Sequence, residues 1–438
     1  MKAIPFILVI VLAFGCQSRH DVKQLDEFSE QQLASWNRKL TDVIVNDIFT
    51  PPVASRIYAY SNIAAYEAVR FQDPNLKSYG RILNGLNEGP TPDADKTYYF
   101  PLAEIVAFTT TARELVYNGP MVDELEAAYL EEIKMQSIGS DIFDRSVAFG
   151  RAVGQHVVKW AKADGYNERT SNMAYTVNDD PARWRPTPPD YAEGIEPHWN
   201  KLRPFLMDSA SQFNPGPPTA FDTNPESDFY KETMDVYNAV INGDDEKLAI
   251  AKFWDCNPNI SYTQGHVMYF HQQISPGGHW IHIACQVLEA EKLDEVQSAL
   301  TMSKVALTIA DAFISCWDEK YRSALVRPET YINRYIDKDW MPILQTPAFP
   351  EHTSGHSVAS ASASTILTNL FGEKYHFVDS TEVPYGLPTR SYESFLEAAE
   401  EAAISRHYGG IHYMPAITKG VSQGKNVGNM VIQKLENF

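Results

Sequence analysis

Apolar residues recur at intervals of three and four through most of this chain, a period that dictates helices each burying one face. The pattern runs over residues 24–48, 54–71, 121–135 and 140–163. It returns over 229–240, 245–253, 296–317, 354–371, 392–406 and 417–435. Alternating β-branched runs are scarce and no short solenoid-type repeat is present, so the expected fold class is all-α. The 438 residues suffice for one large core or two fused halves. One segment breaks the pattern: residues 178–225 hold ten of the 27 prolines, interleaved with Trp184, Tyr191, Trp199 and Phe205. That many rings point to an ordered, packed excursion. It ties an N-terminal helical half (20–225) to a C-terminal bundle (226–438); forming one wall of an active-site entrance is its alternative role.

The formal net charge of -19 argues against a nucleic-acid partner, since no basic field would attract phosphates. The N-terminus speaks to location. Met1-Lys2 gives a short positive start, Ile4 to Phe14 form an apolar run too short to span a bilayer, and Gly15-Cys16 follow. Residues 1–16 resemble a bacterial lipoprotein signal, with Ala13 where leucine is commoner. The expectation is export, with a lipid on Cys16 as the only membrane attachment, facing the periplasm or the cell surface; an ordinary secretory signal is the alternative. No later stretch is expected to be long and apolar enough to cross a membrane. Cys256, Cys285 and Cys316 share no metal-ligand spacing and read as buried thiols, with room for one disulfide.

Three segments of the last third carry chemistry together. In Lys320-Tyr-Arg-Ser-Ala-Leu-Val-Arg327-Pro328 the two cations are seven apart, which on one helix puts them on one face, and Pro328 ends that helix. In Phe349-Pro350-Glu351-His352-Thr353-Ser354-Gly355-His356, Thr353 or Ser354 caps a helix, placing the Ser354 and Gly355 amides at an anion-binding N-terminus. In Ser405-Arg406-His407-Tyr408-Gly409-Gly410-Ile411-His412 a helix delivers Arg406, the glycine pair breaks it, and His412 follows. Each piece alone is commonplace. Together they supply three cations, two amides, a hydroxyl and two histidines, an inventory suited to a tetrahedral oxyanion.

The order Lys-x6-Arg-Pro, Ser-Gly-His, Ser-Arg-x5-His resembles the signature shared by vanadium haloperoxidases and type-2 phosphatidic acid phosphatases. The resemblance implies two stacked helical bundles and a vanadate cofactor, with hydrogen peroxide and a halide as partners. By position it implies that Lys320, Arg327 and Arg406 neutralise the equatorial oxygens of vanadate. Ser354 and the Gly355 amide would hydrogen-bond to those oxygens, and His412 would bind vanadium axially. His356 would be the acid–base group, and Lys320 would polarise the bound peroxide. Trp317 and Phe349 resemble the aromatic lining of haloperoxidase pockets. Algal bromoperoxidases carry a second histidine where Phe349 stands, so the resemblance is nearest to bacterial iodide-oxidising enzymes.

Two departures bear on this. Thr353 stands where the signature has proline, a change a helix start tolerates. Ala416 stands where the phosphatases place the aspartate that orients the last histidine. His412 then needs another partner, such as a backbone carbonyl, and the alternative, an exported acid phosphatase with His412 as nucleophile, loses ground. Asp255 or Asp318 is a candidate to orient an arginine. Glu351 and His352 are candidates to face the pocket and shift the pKa of His356. His266, His271, His279 and His282 lack recognisable zinc spacing, which leaves packing or a channel wall.

Overall fold

The structure, a computed structural model, describes residues 32–438 apart from Ser137, Asn259 and His271. The expected leader with Cys16, the start of the first expected helix, and His271 lie outside the described residues.

The fold is all-α, with thirteen α-helices among the described residues. The first half holds α1 (Gln32–Asn46), α2 (Pro51–Val69), α3 (Phe100–Arg113), α4 (Gly119–Met135) and α5 (Ser140–Ala161). The second holds α6 (Asp228–Ile241), α7 (Asp245–Phe253), α8 (Pro276–Glu291), α9 (Glu295–Ser323), α10 (Pro328–Tyr335), α11 (Gly355–Phe371), α12 (Phe395–Tyr408) and α13 (Met414–Glu436). Two small antiparallel pairs complete it: β1 (Ser261–Gln264) with β2 (Val267–Phe270), and β3 (Phe377–Asp379) with β4 (Arg390–Tyr392).

The α9 helix joins the halves. It packs along α2 of the first half and against α11 and α13 of the second, inside one continuous hydrophobic core. Its start is fixed by Asp294, whose carboxylate accepts from the Gln297 amide at 2.8 Å. Contrary to expectation, α9 is long and apolar enough to cross a membrane by length and composition. However, 89% of its apolar window is buried within the protein, as a core helix requires. The α3 and α8 helices carry no periodic signal because burial runs around most of their circumference.

The α13 helix approaches α11 through Gly420, Gly424 and Gly428; a Cβ on Gly424 would stand 2.3 Å from the Val358 carbonyl oxygen. This contact holds the turn before α13 over the start of α11, where the Ser354 amide donates to the Ala416 carbonyl at 3.0 Å. The proline-rich excursion is ordered and docked. Trp184, Trp199 and Phe205 are buried, and the Asp311 carboxylate of α9 accepts the Phe205, Leu206 and Met207 amides at 2.6–3.0 Å. All three described cysteines are buried thiols, and no disulfide joins them.

Candidate active site

Three cations converge where α9, α10 and α12 end or begin. Lys320, in the last turn of α9, donates to the Pro350 and Glu351 carbonyls at 3.0 and 3.1 Å. Arg327 does not share its helix. The α9 helix stops at Ser323, with Ala324 left-handed at φ 47, and Arg327 is an extended residue before α10, so Pro328 opens a helix where it was expected to close one. The Arg327 Nε donates to the Phe349 carbonyl at 2.8 Å and Nη1 to the Ile411 carbonyl at 2.9 Å. Arg406, near the end of α12, donates through Nη1 to the Trp254 carbonyl at 2.8 Å, and Asp255 lies 3.6 Å from its Nη2. Asp318, the other candidate orienter, accepts from Asn200 and pairs with Arg322 instead.

All three cations are shielded from water, at 0–1% exposure. Burial pushes the Lys320 ammonium down to about 7, with Arg327's charge adding to the fall. The same desolvation brings Arg327 to about 10 and lowers Arg406. Arg327 Nη2 and Arg406 Nε have no hydrogen-bond partner among the described residues. Buried donors left over in this way are costly unless a ligand takes them.

His412 follows the glycine break, where Gly410 is left-handed at φ 79. Its partner is neither residue 416 nor a backbone carbonyl. Its Nδ1 donates to Oε1 of Glu351 at 2.8 Å, and the Tyr413 amide donates to the same oxygen at 2.9 Å. Nε2 stands 3.2 Å from Arg327 Nη1; a guanidinium can only donate, so Nε2 keeps its lone pair turned into the cation cluster. Burial first, then the charges of Arg327, Lys320 and Arg406, hold His412 well below the usual histidine range.

Ser354 caps α11, its Oγ accepting from the Ser357 amide at 3.3 Å, which leaves its hydroxyl proton free to donate. Its own amide is spent on Ala416, so Gly355 supplies the amide at this helix start. Thr353 donates to Gln423, and the helix start does accommodate the missing proline. His356 lies one residue into α11. Burial, then Arg406's charge, depresses its pKa, and its Nε2 has no hydrogen-bond partner among the described residues. His352 is turned elsewhere and donates to the Gly216 carbonyl of the excursion at 3.3 Å.

The lining is aromatic on one side. Trp317 and Phe349 have centroids 5.0 Å apart, and Lys320 Nζ sits 4.8 Å from the Phe349 ring. One cavity brings together Trp317, Phe349, Gly355, His356, Arg406 and His412. An adjoining outer cavity shares Asn257 and Pro347 with it and is lined by Thr187, Asp190 and Ile195, so the excursion walls the approach. Of the expected histidine group, His266, His279 and His282 line neither cavity; His266 is exposed at the β1–β2 turn and His279 is buried behind Trp254.

A crystal structure described as that of the first bacterial vanadium-dependent iodoperoxidase is 46% identical, with a TM-score of 0.87, over 92% of this chain and 95% of its own. The chain belongs to the vanadium-dependent haloperoxidases. Holo and apo structures of a bacterial vanadium-dependent chloroperoxidase share the fold at 15% and 16% identity. They match with TM-scores of 0.66 and 0.65, over 89% of this chain and 93% and 95% of theirs. The VCPO second helical-bundle domain family matches residues 300–438, which include every haloperoxidase motif described above. A search of curated proteins gives no match. The vanadate cofactor of a vanadium haloperoxidase fits this cradle: the cavity wall carries Gly355, Arg406 and His412, with unpartnered guanidinium nitrogens and an imidazole lone pair beside it.

Proposed function

We propose that Lys320, Arg327, Ser354, Gly355, Arg406 and His412 hold vanadate, with Trp317 and Phe349 as the apolar wall, and that iodide is the halide oxidised most readily. The observation that carries this reading is the surplus of buried positive charge around the His412 lone pair. Lys320, Arg327 and Arg406 meet the oxyanion's charge, while the Ser354 hydroxyl and Gly355 amide donate to its oxygens. His412 would bind the vanadium through Nε2, its ring oriented from behind by Glu351. Bound vanadate supplies a Lewis-acid centre at which hydrogen peroxide is activated towards halide, giving hypohalous acid. His356, whose pKa burial depresses and whose Nε2 has no partner among the described residues, would accept a proton from hydrogen peroxide there and give it back as general acid.

Two considerations support iodide. The 46%-identical relative is described as an iodoperoxidase. A large, weakly hydrated anion also loses least on approaching the Trp317–Phe349 wall, and iodide gives up electrons most easily. The test compares kcat/KM for iodide, bromide and chloride in the vanadate-reconstituted protein. Iodide should lead by at least an order of magnitude, and a bromide value equal to it sinks the preference. The comparisons do not favour the phosphatase alternative; nitrophenyl phosphate hydrolysis in the same preparation is its control. Export with a lipid on Cys16 is likewise proposed, from the residue 1–16 pattern. Fatty-acid labelling lost in Cys16→Ser supports it, and unlabelled wild-type protein contradicts it.

A further inference from the structure

We propose that Cys256, His279 and Glu382 form a second metal site, for a divalent cation of zinc's class, behind the wall of the vanadate pocket. The three donors come from the loop after α7, the first turn of α8 and the segment after β3, which is why no ligand spacing reveals them in the sequence. All are buried, at 1%, 0% and 4% exposure. Sγ of Cys256 lies 3.3 Å from Nδ1 of His279, that nitrogen lies 3.1 Å from Oε1 of Glu382, and the sulfur lies 3.9 Å from that oxygen. An ion equidistant from those atoms would stand about 2.0 Å from each, close to the ~2.0–2.3 Å of zinc bonds to nitrogen, oxygen and thiolate.

The surroundings are those of a metal-bound histidine. Its other nitrogen, Nε2, is 2.7 Å from Asp379 Oδ2, the outer carboxylate that fixes which nitrogen keeps its lone pair. That arrangement turns Nδ1 towards the thiol and the second carboxylate together. The Trp254 indole stacks on the ring at 4.4 Å and locks its plane. A thiol, an imidazole and one carboxylate suit zinc, whereas magnesium and calcium take oxygen sets. Binding replaces the thiol S–H bond with a metal–sulfur bond and the Nδ1–H bond of the His279 imidazolium with a metal–nitrogen bond, releasing both protons to solvent.

The site has a consequence for the vanadate pocket. Trp254 accepts Arg406 Nη1 through its carbonyl, and Cys256, two residues on, lines the cavity. Metal at Cys256 therefore pins the segment that orients Arg406, and it masks a thiol facing the hypohalous acid made beside it.

The test uses tag-free protein in phosphate-free buffer. It is stripped with chelator, equilibrated with zinc or cobalt, desalted, and read by elemental analysis and absorption. About one zinc per chain should be retained, and the cobalt form should show a thiolate-to-metal charge-transfer band with tetrahedral visible bands. Cys256→Ser should abolish that band, and Glu382→Gln should weaken zinc binding at least about tenfold. Wild-type protein without the charge-transfer band overturns the site whatever its metal content, and would leave His279 as an imidazolium between two carboxylates. Because the wild-type spectrum decides, the test stands even where a variant fails to fold.

Discussion

Glu351 and His412 are 61 positions apart, yet Oε1 of one and Nδ1 of the other are 2.8 Å apart with both side chains buried. The carboxylate that position 416 lacks is thus delivered from the opposite side, by the segment that also supplies the Ser-Gly-His turn. The pair fixes the imidazole tautomer, and the lone pair on Nε2 follows from it.

Removing that carboxylate should therefore injure cofactor binding before anything else. Glu351→Ala is expected to weaken vanadate affinity by about 10–100-fold, the usual cost of losing the partner behind a ligating histidine. Vanadate titration monitored by halide oxidation measures it. Unchanged affinity would mean that the tautomer is set by something other than Glu351.

The pH dependence of vanadate uptake should have an acid and an alkaline arm. His412 itself is held well below the usual range, so its lone pair is not titrated through pH 6; the acid-side change comes from Glu351, which burial raises to about 7 and whose protonation loosens its hold on Nδ1. Lys320 has its empty-site pKa lowered to about 7, so above that pH it must regain a proton before it can meet the anion. Affinity should fall by up to about tenfold per pH unit above 7. A titration series from pH 6 to 9 with no loss on the alkaline side would contradict the Lys320 assignment.

Vanadate should also stabilise the fold, because it relieves three buried cations at once. At 100 times its Kd it contributes about 2.7 kcal/mol, which a melting scan reads as a rise of a few degrees. Phosphate, with the same shape and charge, should compete for the effect. A Tm indifferent to both anions would mean that the cations are satisfied without a ligand.

Gly410→Ala tests the turn that presents His412. The residue sits at φ 79, and a Cβ there would lie 2.7 Å from Val240 Cγ2. Strain of this kind costs about 1–3 kcal/mol, and it would also displace the Ile411 carbonyl that Arg327 uses. Denaturant unfolding and vanadate affinity should both suffer; a fully stable variant with wild-type affinity would show that the turn tolerates a side chain.

Legibility of the molecule in its sequence followed the physics of each part. Amphipathic helices such as α5 and α6 announce themselves by period, whereas α3 and α8, buried nearly all round, do not. Arg406, Gly410 and His412 could be read because a helix end and its glycine break are local events. Lys320 and Arg327 were legible as a candidate pair of cations while their geometry was not, since seven residues suggest two helical turns and the left-handed Ala324 interrupts them. Glu351 stood beside the Ser-Gly-His motif, but nothing local tells a carboxylate that faces His356 from one that faces His412. Pairings across tens of residues, that one and the Cys256–His279–Glu382 group alike, exist only once the helices pack.

The central claim is that the buried cation cluster around His412 is a working vanadate site. The direct measurement is the rate of iodide oxidation by hydrogen peroxide as orthovanadate is added to metal-free protein in phosphate-free buffer, for wild type and His412→Ala. A saturable, vanadate-dependent rate in the wild type, absent in the variant, is the predicted result. Iodide oxidation that needs no vanadate, or that persists undiminished in His412→Ala, would contradict it.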